Sequence, residues 1–216
     1  FLFYNISRFK ERKRKMPSIL FHELVGYKFA KAHREFDKNN FYLGVMVPDS
    51  VNAYGFASKE ERWKAHKRDV SLDIWTENIV KYYKENSSKY ERCYLMGYLI
   101  HVLTDIMCDK IYQEEIYPEL LNKGYNRETA YSYYEDAIKK FENSNINEQW
   151  WNYCKESFTS ADKIPINNIN EKMIDDWIKY TINKYEQRQY ENEGFITNVF
   201  LNKVIEYIEK ILKEKG

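Results

Sequence analysis

The run Tyr94-Leu95-Met96-Gly97-Tyr98-Leu99-Ile100-His101-Val102-Leu103-Thr104-Asp105-Ile106 limits the fold more than any other stretch of these 216 residues. Wound as a helix it is apolar nearly all round, and such a helix has to be enclosed by others. Yet it carries an imidazole and a carboxylate four residues apart, which leave from one helical face. Burying that carboxylate costs on the order of several kcal/mol unless it is paired or bound to a metal ion. Two readings of the pair stay open at this point: a hydrogen-bonded His–Asp core pair, or two ligands of one metal ion.

The surrounding sequence supplies the helices that would do the enclosing. Helical spacing of apolar residues predicts elements over about 17–36, 71–85, 88–112, 116–122, 127–142, 147–158, 170–190 and 197–213. Ser58-Lys59-Glu60-Glu61 reads as a capping box opening a further helix with Trp63 and His66. Between the first two of these helical regions, Asp37 to Ser50 reads as a loop, polar at first and then apolar up to Pro48. Gly124 and Gly194 read as stops. No segment alternates at period two, and seven glycines and four prolines are few for a turn-rich β-fold. The fold class is therefore all-α, a single multi-helix domain around a central buried helix carrying metal ligands. Residues 16–216 form that domain, and residues 1–15 read as a basic N-terminal extension.

Thirty-four lysines and arginines stand against 33 aspartates and glutamates, so charge gives no reason to expect nucleic acid or a membrane as partner. No stretch has the length and apolarity of a transmembrane span. The three cysteines, Cys93, Cys108 and Cys154, lack metal-finger spacing and are odd in number, which suits a reducing compartment. At the start, apolar residues precede the basic ones, the reverse of a signal peptide. The expected location is the cytoplasm.

Four histidines are few enough to weigh singly. His33 and Asp37 repeat the four-residue spacing of His101 and Asp105, but in the charged stretch Lys31-Ala32-His33-Arg34-Glu35-Phe36-Asp37, where both groups can be solvated. Asp49 follows a proline, as turn residues do. His66 taken alone reads as a surface histidine, and His22 as a core-edge histidine in the first turn of its helix.

Their order carries more than the parts. His22 opening a helix, then Leu43-Gly44-Val45-Met46-Val47-Pro48-Asp49, then His66, then Gly97-Tyr98-Leu99-Ile100-His101-Val102-Leu103-Thr104-Asp105, resembles the zinc-dependent phospholipase C family over about 16–109. The resemblance implies metal-dependent hydrolysis of a phosphodiester by an activated water. It implies that Asp49, His66, His101 and Asp105 bind one zinc, and that Asp105 bridges to a second held by His22. Two ions are expected, with a range of one to three, and Asp49 is the candidate to orient or deprotonate the water. The substrate would be a phosphate ester, with a lipid among the candidates.

The chain also departs from that family. The N-terminal tryptophan that completes the second site in secreted members has no counterpart at Met16-Pro17-Ser18. Ile111 stands where a further histidine ligand is found, and no histidine follows His101. Asp109, Cys108, Asp175 and Asp176 are the substitutes within reach, none of them implied by a motif. A rival reading is therefore a degenerate member, a helical binding or scaffold protein keeping one structural metal. A metal phosphohydrolase with an adjacent His-Asp pair is ranked last, because no histidine here is followed by aspartate. A purely structural bundle would need the candidate ligands to lie apart.

Overall fold

The computed structural model describes residues 18–186 and 195–215. The expectations for residues 1–15, Met16, Pro17 and Gly194 fall outside them. Among the described residues the chain is helical with no strand, apart from one isolated bridge between Ile166 and Ile169.

Helix α5, Arg92–Ile111, is the central rod. Glu91 caps it by accepting from the Tyr94 amide, and from Cys93 to Ile106 every residue is buried. Helices α1 (Ile19–Ala32), α2 (Asn39–Met46), α4 (Leu72–Asn86) and α10 (Asn198–Lys215) pack around it. Enclosure on several sides is what an apolar-all-round sequence requires. Helix α3 (Lys59–His66) starts at the Ser58 capping box, and α6 (Tyr117–Asn122), α7 (Arg127–Asn145), α8 (Glu148–Ser160) and α9 (Glu171–Glu186) complete the bundle. Gly124 takes φ +89 just past α6, as a helix stop needs.

Two elements differ from expectation. The first helix, expected to reach about Phe36, ends at Ala32, and Arg34–Phe36 form a separate 3-10 turn. The apolar part of the 37–50 segment is not a loop. Residues Asn39–Met46 form α2, and Val47–Asn52 continue it as a 3-10 helix with Pro48 in its first turn. Every side chain from Phe41 to Ser50 is buried, so no polar face marks a helical period.

Two glycines explain how α2 and α5 lie so close. A Cβ on Gly44 would stand 2.1 Å from the Tyr94 carbonyl oxygen, and one on Gly97 would stand 2.1 Å from that of Phe41. Both glycines belong to the motifs noted above. They let two helix backbones touch, and that contact sets Val45, beside Gly44 in one motif, against His101 in the other.

Candidate metal centre

His101 enters the site already oriented. Its Nδ1 lies 2.6 Å from the Val45 carbonyl oxygen, and a carbonyl can only accept, so Nδ1 carries the proton and Nε2 keeps a lone pair. His66, the last residue of α3, is held the same way by the Arg62 carbonyl at 2.9 Å. The end of α3 is itself pinned. Trp75 Nε1 donates to the His66 carbonyl at 2.8 Å, and the Tyr98 hydroxyl donates to that of Ala65. Asn167, with φ 56, in turn donates to the Tyr98 oxygen at 2.7 Å.

Held in this way, the Nε2 atoms of His66 and His101 face one another at 3.3 Å. Two neutral imidazoles with both lone pairs inward repel. A cation between them, a proton or a metal ion, removes that conflict. His22, near the start of α1, stacks on His101 with ring centres 3.8 Å apart and planes 10° from parallel.

Asp105 is divided among the three rings. Its Oδ1 lies 3.3 Å from His22 Nε2, while Oδ2 is 3.7 Å from His66 Nε2 and 3.7 Å from His101 Nε2. These approaches lack hydrogen-bond geometry. Both Asp105 oxygens and both His22 nitrogens are buried without a hydrogen-bond partner. Such groups are normally satisfied, and leaving them so is costly. Asp49 comes from the 3-10 turn, with Oδ1 3.6 Å from His66 Nε2. Two overlapping triads result that could hold a metal ion: His22, His101 and Asp105, and Asp49, His66 and His101. Imidazole and carboxylate donors are the set that suits zinc, and the unpartnered Asp105 and His22 atoms fit a bound ion.

The charges of these side chains follow from burial and crowding. Burial, and then the neighbouring His22, push His101 down to about 3, so its ring stays neutral. Burial raises Asp49, but the His66 ring beside it outweighs that and holds its carboxyl below the usual range. His66 goes the other way: burial lowers it, and Asp49 and Asp105 raise it further than that.

The remaining candidates lie elsewhere. Asp109 forms an ion pair with Arg68. Cys108 is a buried free thiol pushed well up by desolvation, and the other two cysteines are buried and free as well. Asp175 is exposed, and Asp176 pairs with Lys172 and Lys179. Two buried acids escaped the sequence reading. Glu142 of α7 is 2% exposed. It accepts from Ser18 Oγ at 2.9 Å at the start of α1, its Oε1 has no partner, and burial raises its carboxyl above the usual range. Glu23, beside His22 in sequence, is fully buried with neither oxygen partnered, and desolvation holds it well above the usual carboxylate range. Glu142 sits in an amphipathic helix, where an acid reads as surface, whereas Glu23 lies in a stretch of α1, Ile19 to Gly26, that is buried on every side.

A family model described as zinc dependent phospholipase C matches residues 19–192, most of the chain. Neither curated proteins nor solved structures give a significant match. The match extends well beyond the motif region, from α1 through α9, and ends before α10. On that coverage the chain belongs to the zinc-dependent phospholipase C family.

Proposed function

We propose that this chain is a zinc-dependent phosphodiester hydrolase, phospholipase C-like, in which His22, Asp49, His66, His101 and Asp105 hold the metal. The observation that carries the reading is the pair of pre-oriented imidazoles, with Nε2 atoms 3.3 Å apart beside a carboxylate that has no hydrogen-bond donor.

When bound, zinc would lower the pKa of a water and offset charge on the phosphoryl oxygens. The chain's own residues supply the rest. The Val45 and Arg62 carbonyls fix the tautomers of His101 and His66, so neither ring has to turn or lose a proton to act as a ligand. His101 is shared by both triads, and Asp105, with Oδ1 toward His22 and Oδ2 toward His66 and His101, could face an ion on either side. Asp49 is the proton acceptor: it is ionised, and its side chain is 11% exposed where those of His22, His101 and Asp105 are 0%. Solvent and substrate therefore reach Asp49 first, and it can orient an attacking water and take its proton.

The test is metal content of protein purified without chelator, followed by hydrolysis of bis-p-nitrophenyl phosphate and of a phospholipid. Two or more zinc per chain with hydrolysis, and a fall in kcat on the order of a hundredfold for Asp49→Asn, support the reading. One observation favours a second reading, a binding or scaffold protein with one structural ion: Ile111 is buried and Asp109 is committed to Arg68, so neither adds a ligand. A single tight zinc with no hydrolysis under any added metal would decide for it.

A further inference from the structure

Helix α3 ends at His66, and Lys67 turns the chain with φ 53. The Lys67 amide closes on the Lys64 carbonyl and the Arg68 amide on that of Trp63. Such a helix end leaves its last carbonyls, here those of Ala65 and His66, to be met by side chains. Trp75 meets the second and the Tyr98 hydroxyl the first, and both aromatic residues are fully buried. Tyr98 belongs to α5, three residues before His101. Helix α5 therefore presents one imidazole itself and seats the helix that brings the other.

The Tyr98 hydroxyl is directed in turn from far along the chain. Among the described residues, Lys67 and Asn167 are the two non-glycine residues with left-handed backbone, and they are bonded to each other: Lys67 Nζ lies 2.6 Å from Asn167 Oδ1. An ammonium only donates, so Oδ1 accepts and the amide nitrogen is left to donate, which it does to the Tyr98 oxygen at 2.7 Å. The phenol, accepting that bond, keeps its own proton for Ala65. The series Lys67, Asn167, Tyr98, Ala65 thus runs one way. Asparagine tolerates φ 56, and its surroundings hold it there. Ile166 and Ile169, both buried, exchange backbone bonds around it, Asn168 Nδ2 donates to the Glu61 carbonyl of α3 at 3.2 Å, and the Tyr94 hydroxyl donates to that of Ile164 at 2.6 Å.

We propose that Asn167 is a positioning residue of the metal centre: by directing the Tyr98 hydroxyl onto the Ala65 carbonyl, it fixes the end of α3 and with it the His66 imidazole. The inference rests on His66 as a metal ligand and not on hydrolysis. It requires the chemistry of asparagine and not its shape alone. An aspartate at this position could still pair with Lys67, but it has no N–H to offer. It would accept the Tyr98 proton and leave the buried Ala65 carbonyl without a donor. A residue that merely tied the α8–α9 connection to the core would serve equally well as aspartate, because Lys67 and Tyr98 would both still be held.

The experiment measures zinc affinity of the full chain by competition with a chelator, together with the d–d bands of the cobalt(II)-loaded protein, which follow ligand geometry. Asn167→Asp should bind zinc more weakly on the order of tenfold, with shifted cobalt bands. Asn167→Gly keeps the left-handed turn and leaves the phenol free to hold Ala65, so it should lose less. A tie to the core predicts the reverse order, since deletion then costs more than an isosteric change. Tyr98→Phe should match Asn167→Asp, and Tyr98→Phe/Asn167→Asp should be no worse than Tyr98→Phe, because both changes remove one bond to Ala65. Parent-like affinity and cobalt bands in Asn167→Asp, a larger loss in Asn167→Gly, or losses that add in the double variant would overturn the proposal. A parent chain that binds no zinc would overturn the assignment of His66 as a ligand, and the proposal with it.

Discussion

His33 and Asp37 have the spacing of His101 and Asp105, and the molecule treats the two pairs in opposite ways. His101 and Asp105 lie inside the continuous α5, one turn apart, with neither side chain exposed. His33 instead ends α1, with φ −116 and ψ 76, and a 3-10 turn separates it from Asp37. The shared-face argument never applies to that pair. Its partners differ too. Asp37 takes bonds from Lys31 at 2.7 Å, the Tyr42 hydroxyl at 2.7 Å and the Tyr153 hydroxyl at 2.6 Å, and His33 Nε2 lies 2.6 Å from Glu209. Asp105 has no donor at all. The comparison teaches that spacing nominates a pair, whereas an unbroken helix and an unmet need for a cation make it a site.

The largest expected effect comes from removing the buried pair's imidazole. His101→Ala should lose at least one zinc per chain by elemental analysis. It should also lose most of the stability that zinc confers, about 4 kcal/mol when free zinc is about a thousandfold above its Kd, read as the difference between thermal melts with and without chelator. Unchanged metal content would break the contrast with His33. Next is Gly97→Ala. Its new Cβ would meet the Phe41 carbonyl oxygen at 2.1 Å and the Val45 amide nitrogen at 2.8 Å, backbone atoms that cannot swing aside. Urea unfolding should show a loss of about 3 kcal/mol, with weaker zinc retention, because the shift moves Val45 away from His101. A neutral result would mean that the α2–α5 approach does not hold the imidazole in place.

Those glycines also show where the sequence was legible and where it was not. The central helix was readable because Tyr94 to Ile106 has no polar face, and that alone requires enclosure. The motif glycines were visible as letters, but their reason, two backbones in contact, belongs to tertiary structure. Helix α2 was missed because Phe41 to Ser50 is buried on every side, which erases the period a helix needs to be recognised. Asp109 looked like a spare carboxylate one turn beyond Asp105; Arg68, 41 residues earlier, claims it. Glu142 was invisible for the same reason. Only the return of α7 onto the start of α1, across 124 residues, puts it beside Ser18. Long-range pairing is what local patterns do not encode.

The pH dependence of the chelated protein sharpens the comparison in a different way. His101 is held down to about 3 from an ordinary 6.5, so between those values the unfolded chain takes up a proton that the native ring refuses. The unfolded state then binds more protons, and stability falls as pH drops through that window, by about 1.4 kcal/mol for each pH unit. His66, raised by its carboxylate neighbours, contributes in the opposite sense and above 6.5, where its stabilisation fades as the native ring deprotonates. Glu23 and Glu142, raised by burial, and Asp49, lowered, also titrate in or near that range, so His101 is read from the difference between parent and variant. Denaturant midpoints across that range should show the fall in the parent and a flatter profile in His101→Ala. Equal slopes would mean that the buried ring is not neutral in the native protein.

The smallest effect is predicted for His33→Ala. The His33–Glu209 pair has side chains 32% and 40% exposed, and ion pairs in such positions contribute about 1 kcal/mol or less. The ring also stacks on Phe29 at 4.4 Å, so some packing goes with it, but Asp37 keeps its three donors and its charge remains satisfied. Zinc content and hydrolysis should match the parent, with a shift in the denaturant midpoint of about 1 kcal/mol or less. Loss of a zinc equivalent here would reverse the assignment between the two pairs. A loss of several kcal/mol without loss of zinc would show instead that His33 ties α10 to the end of α1 more firmly than its exposure implies.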